Sequence, residues 1–560
     1  MRVLGWVGAW LLFAAGLGLM FRNVWLPGPA WSVGDNGDGV IEIATLEHWF
    51  RFLTGGLLTR GAGSLVSAPW FFPAPGSLGR TDTYALVAVP YSLVRLAGWG
   101  PFGAYTASVA VLATAGFWGM VGLLRRASVG PAVGGVFGFV FAFGAMPLFK
   151  LGHGQTYLVM LAPVLGLMLV AGWRRRGWAV AAGVLFGLLT LTAAQTAWFL
   201  GLEAGLLLVV AALLSGRAGV GAAWRERVAL VRTGAAWFAG LVVGLVPFAL
   251  VYRGSFGLRR GWEEVRFYQP RFSDLLNVQP GEALWFDLLH RMGIADGPGR
   301  PAAEVMLGFT PGLVAFGAAG LVLFGRVRGR DGWDVAAWAG IAVAFLGWVL
   351  TVRWGRVDPW HWIYAVVPGA ASVRTPFRIQ LASSFFLCFG LGVFSSRVVW
   401  ASAGRAWVPA LVGAGLAVVA LEQVGPPPPG RATAPMAQWL VASRKPDFAC
   451  TAFYVLPTLR VAEPWFEVQS DAILLAVWLG LPTINGNSSW YPEGWDLLFT
   501  DRADYAARAL AWIDRNGLRE LVCGVDPRAG VWVEGVGPLT VGPLTGGPLT
   551  GGPEAAIPAR

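Results

Sequence analysis

The chain has 560 residues, 56% of them hydrophobic and only 13% charged, with a net charge of +11. Soluble domains carry about 25% charged residues; here the deficit runs almost the whole length, which excludes a soluble enzyme behind a cleaved leader. The arginines sit in short connectors between apolar runs, the positive-inside pattern of membrane proteins, so the charge does not mark a nucleic-acid binder.

A spanning helix needs about 20 mostly apolar residues, because its backbone must satisfy itself in hydrocarbon. Such runs fall at 4–21, 103–124, 130–149, 155–172, 178–196, 198–215, 233–251, 308–325, 333–351, 379–396 and 406–422. They make about eleven spans, with about ten to thirteen as the range. Arg2, Arg125, Arg126, Arg174 to Arg176, Arg217 to Arg232, Arg326 to Arg330 and Arg397 to Arg405 then share one side. The positive-inside rule makes that side cytoplasmic, with the N-terminus inside and everything beyond 422 outside. The run 83–99 is apolar but short and holds Pro90 and Arg95. Reading it as a re-entrant or interfacial helix preserves the charge pattern, whereas a crossing would make twelve spans and invert the later clusters.

On these terms 1–422 is the transmembrane region, with outer segments at 22–102, 252–307 and 352–378. A proline-rich linker occupies 423–439, and 440–535 returns to soluble composition, as expected of a small extracytoplasmic α/β domain. The Gly/Pro repeat at 536–560 buries little and is expected to be disordered. Cys450 and Cys523 suit a disulfide if that domain lies outside, while Cys388 lies in an apolar run.

Four stretches carry candidate chemistry. GDNGDGVIEIATLEHWFRFLTG (34–55) places Asp35 and Asp38 just after the first span. Glu42, Glu47 and His48 follow in a helix whose apolar residues, from Ile41 to Leu53, share one face, as in a helix lying along the interface. Acids at a membrane surface act as general base, bind a metal or neutralise a cation; a Gly/Asp turn before an amphipathic helix would look the same. In FFPAPGSLGRTDTYALVAVPY, Asp82 caps the next helix or faces the same cleft, the cap being the simpler reading. LFKLGHGQTY (148–157) sets Lys150, His153 and Gln155 in a tight outer turn, where they suit a phosphate or a sugar hydroxyl. In 353–379, Arg353, Arg356, His361, Arg374 and Arg378 crowd an outer loop that positive-inside statistics disfavour. Recognition of a phosphate or pyrophosphate by arginine forks is the favoured reason. Lipid-headgroup anchoring, or pairing with Glu263, Glu264 or Asp274, is the alternative.

Taken together, the GDNGDG…LEHWFRFLTG loop, FFPAPGSLGRTDTY, GHGQ and PGAASVRTPFR resemble bacterial multi-pass membrane proteins of the GT-C glycosyltransferase superfamily, above all their uncharacterised relatives. QSDAILLAVWLGLPTINGNSSWYPEGW (469–495) resembles the segment that follows the membrane region in those relatives. The resemblance implies a polytopic α-helical, GT-C-like protein of the bacterial inner membrane, with an extracytoplasmic active site and a polyprenyl-phosphate-sugar donor. It also implies an acid in the first outer loop as catalytic base or metal partner. Asp35 is the first candidate and Asp38 the second, with Glu47 and His48 as additional candidates and a divalent cation as a candidate cofactor. The expected reaction is sugar transfer to an extracytoplasmic glycan, lipid or protein. The alternatives are a transporter or flippase of lipid-linked saccharide, and a noncatalytic component of envelope polysaccharide assembly.

Overall fold

The computed structural model describes residues 2–25, 31–55, 64–280, 282–294, 302–327, 331–402, 405, 407–425, 430–457, 464–527 and 530–537. The repeat tail from 538 onward and the proline run 426–429 lie outside the described residues. The chain divides into two compact units: Met1–Asp35, Asp82–Asp296 and Ala302–Thr433 form the first, and Asn36–Thr81, Gly297–Pro301 and Ala434–Arg560 the second.

The first unit makes this a polytopic, mostly α-helical membrane protein. Among the described residues, eight helices are long and apolar enough to cross a bilayer: Val3–Met20, Pro101–Arg126, Pro131–Gly152, Gly154–Gly172, Ala194–Gly216, Arg227–Tyr252, Gly332–Thr351 and Pro376–Ala401. The other three expected spans fall on shorter apolar helices, Arg176–Thr192, Pro311–Leu323 and Trp407–Leu421. The run 83–99 contains only the nine-residue helix Ala88–Leu96. At about 1.5 Å per residue it is too short to cross.

Helix Ile379–Ala401 is the centre of this unit, with every residue from Ile379 to Arg397 buried. Polar groups on it are matched: Ser383 donates to the buried Glu203 carboxylate, and Arg397 donates from Nε to Asp334 at 2.7 Å and from a terminal nitrogen to Asp331 at 2.8 Å. Its opposite end begins at Arg378, whose partners form the site described below. Another carboxylate, Glu422, accepts the backbone N–H groups of Gly312 at 2.9 Å and Leu313 at 2.8 Å, satisfying the start of helix Pro311–Val327.

Elsewhere helices meet through glycine. Gly183 and Gly187 on one helix face Gly240 and Gly244 on another, two G-x-x-x-G spacings packed backbone to backbone. A Cβ at Gly183 would sit 2.0 Å from the Trp237 carbonyl oxygen, and one at Gly187 2.5 Å from the Gly244 carbonyl carbon.

The second unit is built around a three-stranded sheet. Ala452–Val455 pairs parallel with Val522–Asp526, which pairs antiparallel with Val531–Glu534. Helices Trp465–Leu479 and Tyr505–Arg515 lie between these strands in sequence. Cys450 and Cys523 are joined by a disulfide. Residues from the expected first outer loop belong here: Phe71 N–H donates to the Asn485 carbonyl at 3.0 Å, and Thr483 N–H to that of Pro69 at 2.9 Å. Helix Asp38–Leu53 is not the interfacial amphipathic helix that its pattern suggested. Residues 39–49 are all buried, including Glu42, Glu47 and His48, because helix Trp465–Leu479 covers it. Arg51 neutralises Glu47 at 2.8 Å and donates to the Trp478 carbonyl at 2.6 Å.

Two outcomes are expected. Gly187→Leu forces the glycine-faced helices apart and costs about 1–3 kcal/mol, read as a lower Tm in detergent. Reducing the disulfide, or replacing Cys450 and Cys523 by Ser, costs the second unit about 2–4 kcal/mol, seen as earlier proteolysis of that unit while the helical signal persists.

Candidate functional site

The site lies in the first unit, where the reversal between two spanning helices meets the start of helix Ile379–Ala401. The reversal is the LFKLGHGQTY stretch. A one-turn 3-10 helix, Lys150–Gly152, leads through His153 into the short helix Gly154–Tyr157. Thr156 locks it by donating its hydroxyl to the His153 carbonyl at 2.8 Å, and Thr196 donates to the Gln155 carbonyl at 2.9 Å.

Asp82 is brought here by its neighbours. Thr83 donates its hydroxyl to the Leu191 carbonyl at 2.7 Å, and Tyr84 N–H donates to the Thr192 carbonyl at 3.2 Å. The Tyr84 hydroxyl reaches Gln155 Oε1 at 2.8 Å. Tyr84 has φ 55°, a left-handed conformation unusual for a bulky residue, and these contacts hold it there. Asp82 caps no helix: the helix that follows starts at Ala88, with Val87 as its N-cap and no side-chain cap bond.

Asp82, Gln155, Gln195 and Arg378 line one cavity with Thr196 and Phe199. Behind Arg378 lies Glu304. Arg378 donates Nε to its Oε2 at 2.8 Å and a terminal nitrogen to its Oε1, a bidentate pair. Lys150 Nζ donates to Oε2 at 3.0 Å, and His153 Nε2 stands 3.7 Å from Oε1. Lys150, Glu304 and Arg378 are all buried. Burial alone would raise the Glu304 carboxyl, but Arg378 and then Lys150 outweigh it and hold the group well below the usual carboxylate range. A carboxylate is thus fixed between two cations, and one of those cations, Arg378, shares a cavity wall with the acid Asp82.

The remaining sequence candidates do not line this cavity. Asp35 is half-buried just after strand Trp31–Val33 and does not line the cavity. Asp38 is the first residue of helix Asp38–Leu53 and belongs to the second unit, as do Glu47 and His48. Glu47 is engaged by Arg51, and His48 packs among the rings of Trp49, Phe52 and Trp70, where burial pushes its imidazole down to about 4. That is the environment of a core histidine. Arg353, Arg356 and His361 are exposed, and His361 lies 4.5 Å from the Trp262 ring centre. Arg374 stacks over the Tyr268 ring at 5.2 Å. The acids offered as alternative partners of these arginines are engaged locally: Glu264 by Arg260, Glu263 by Arg266, and Asp274 within its own turn by Arg271 N–H and Asn277.

Glu304, Tyr84 and Gln195 escaped the sequence reading. The signal for Glu304 is slight, a lone acid four residues before the apolar run 308–325, in EVMLGFTPG. Among the described residues, no three His, Cys, Asp or Glu side chains are grouped to hold a metal ion.

No family model and no curated protein matches the sequence. Solved structures do. Arabinofuranosyltransferase AftD from Mycobacteria, solved by single-particle cryo-electron microscopy, aligns over 94% of this chain at 17% identity with a TM-score of 0.50. The alignment covers 36% of that protein, so the chain spans roughly a third of its length. ArnT from Cupriavidus metallidurans, in a crystal structure with undecaprenyl phosphate bound, aligns over 86% of this chain and 85% of that one at 15% identity. Its TM-score of 0.34 carries no argument. The first likeness is one of fold.

Lys150→Met leaves the buried Glu304 short of one cation and is expected to cost about 3 kcal/mol, measured by unfolding in detergent. Because the Glu304 carboxyl is depressed in the folded state, its share of stability is complete above the ordinary carboxylate range. The same titration should show that share lost only as the pH falls well below that range.

Proposed function

We propose that the chain is a membrane glycosyltransferase that moves a sugar from a polyprenyl-phosphate-linked donor to an extracytoplasmic glycan, lipid or protein. The observation that carries this reading is the cavity with Asp82 and Arg378 in its wall, at the ends of apolar helices and backed by Lys150 and Glu304. An apolar carrier lies among the helices while its phosphate reaches the cations.

In the reaction, Asp82 takes the proton of the acceptor hydroxyl. The acceptor oxygen bonds to the sugar's anomeric carbon as the bond from that carbon to the phosphate oxygen breaks. Negative charge gathers on the departing phosphate, where Arg378 and Lys150 oppose it. Gln155, in the cavity wall, and His153, beside Glu304, bind sugar or phosphate oxygens. Asp35 and Asp38 stand as alternative bases, and a divalent cation as an optional aid to the leaving phosphate. The arginine-rich connectors, read by the positive-inside rule, support a catalytic face outside the inner membrane. The Cys450–Cys523 disulfide supports an oxidising compartment for the C-terminal unit. Transport of a lipid-linked saccharide is the second reading, favoured by one observation, the carboxyl of Glu203 buried within a span.

The deciding assay offers purified protein a panel of polyprenyl-phosphate sugars, with and without a divalent cation, and follows transfer and donor binding separately. Wild type should transfer. Asp82→Asn should lose about 100-fold or more of the rate with donor still bound, while Arg378→Lys, which keeps the charge but loses the fork, should weaken donor binding. Loss in Asp35→Asn instead would move the base there. Binding without transfer in wild type selects transport, and absence of binding removes the phosphate site.

A further inference from the structure

Glu304 is the acid that the reaction does not use. Its position nevertheless couples Arg378, in the cavity wall, to Lys150 behind it. One carboxylate receives the Nε side of Arg378 and the Lys150 ammonium, Nζ lying 3.0 Å away, while Arg378 also forms part of the cavity wall. All three side chains are buried, so water screens little of the charge among them. Glu304 therefore does two things at once: it orients the guanidinium, and it subtracts one unit of charge from the site. Further titratable groups on the adjoining elements are Asp82, in the cavity wall, His153, with Nε2 3.7 Å from Glu304, and Glu203, on the helix that carries Gln195 and Thr196. Glu304 thus offsets part of the positive charge that Arg378 and Lys150 bring.

That balance bears on ligand charge. A sugar linked to a polyprenyl phosphate is a phosphodiester with one negative charge. The carrier left after transfer is a phosphomonoester, with a second ionisation near pH 6, and so is largely dianionic at pH 8. A site with its positive charge trimmed has less to gain from the second charge. Resting on the donor assignment above, we infer that Glu304 is a positioning and specificity-determining residue that holds the site to monoanionic phosphodiesters and lets the spent dianionic phosphomonoester leave. Replacing Glu304 by its neutral isostere adds one unit of positive charge and should favour the phosphomonoester. Removing the Lys150 charge should favour the phosphodiester. A purely structural role would weaken both ligands together in both variants.

The test measures binding of farnesyl monophosphate and of methyl farnesyl phosphodiester at pH 8 to the full chain in detergent, by calorimetry. Glu304→Gln should shift the ratio of affinities toward the monophosphate by about tenfold, the low end of what one unit charge exerts at contact range in a partly buried site. Lys150→Gln should shift it the other way, and Glu304→Asp should restore the wild-type ratio. If Glu304→Gln does not fold, the opposite shift in Lys150→Gln with a wild-type ratio in Glu304→Asp carries the inference. An unchanged ratio in folded variants, or equal weakening of both ligands, overturns it. Sugar transfer by wild type alongside an unchanged ratio sinks this inference alone, whereas failure of folded wild type to bind either ligand sinks the donor assignment too.

Discussion

A bilayer interior offers no partner to a polar group, and the first unit is organised by that deficit. Its backbone is satisfied inside helices, and helices approach closely where side chains are absent, as Gly183 and Gly187 meet Gly240 and Gly244. Charged side chains gather at helix ends and find partners there. Helix Ile379–Ala401, buried from Ile379 to Arg397, shows this at both limits: Arg397 is held by Asp331 and Asp334, and Arg378, just before the other end, by Glu304. Neither arginine would be tolerated so deeply buried without its carboxylates.

The candidate site uses the same device with one difference. At the Arg397 end the charges only join helices. At the Arg378 end the guanidinium also borders a cavity, and Asp82 reaches that cavity because Thr83 and Tyr84 are tied to the end of helix Arg176–Thr192 and to Gln155. The turn Lys150–Tyr157 supplies a cation, a histidine and an amide from a few residues because it reverses sharply between two spans. Short polar turns at the ends of rigid helices hold functional groups more firmly than long loops. The longer connectors 252–307 and 352–378 supply other things: the exposed Arg353, Arg356 and His361, and the buried Glu304.

The second unit is governed by ordinary water-driven burial. Helix Asp38–Leu53 has an apolar face of the kind that also lies along a membrane interface. The same residues suit a helix enclosed on all sides once Arg51 cancels Glu47 and the imidazole of His48 goes neutral among aromatic rings. Periodicity reports which face is apolar and says nothing of what covers the other one. Residues 69–72 likewise follow strand-like pairing with 483–485 that no local pattern announces, because a contact across more than 400 positions leaves no mark on its neighbours.

What the sequence determined by itself was the class of the protein, the position of its apolar helices and the turn carrying Lys150, His153 and Gln155, since hydropathy and turn chemistry are local properties written along the chain. It also carried Asp82 and Arg378 as candidates, though in separate stretches with separate rationales. Only the tertiary structure placed those two in the wall of one cavity, set Glu304 between Arg378 and Lys150, and left Arg353, Arg356 and His361 on the surface. The physical reason is that an ion pair is decided by distance in space and by burial. Glu304 meets Lys150 across 154 positions and Arg378 across 74, and composition carries no record of either meeting.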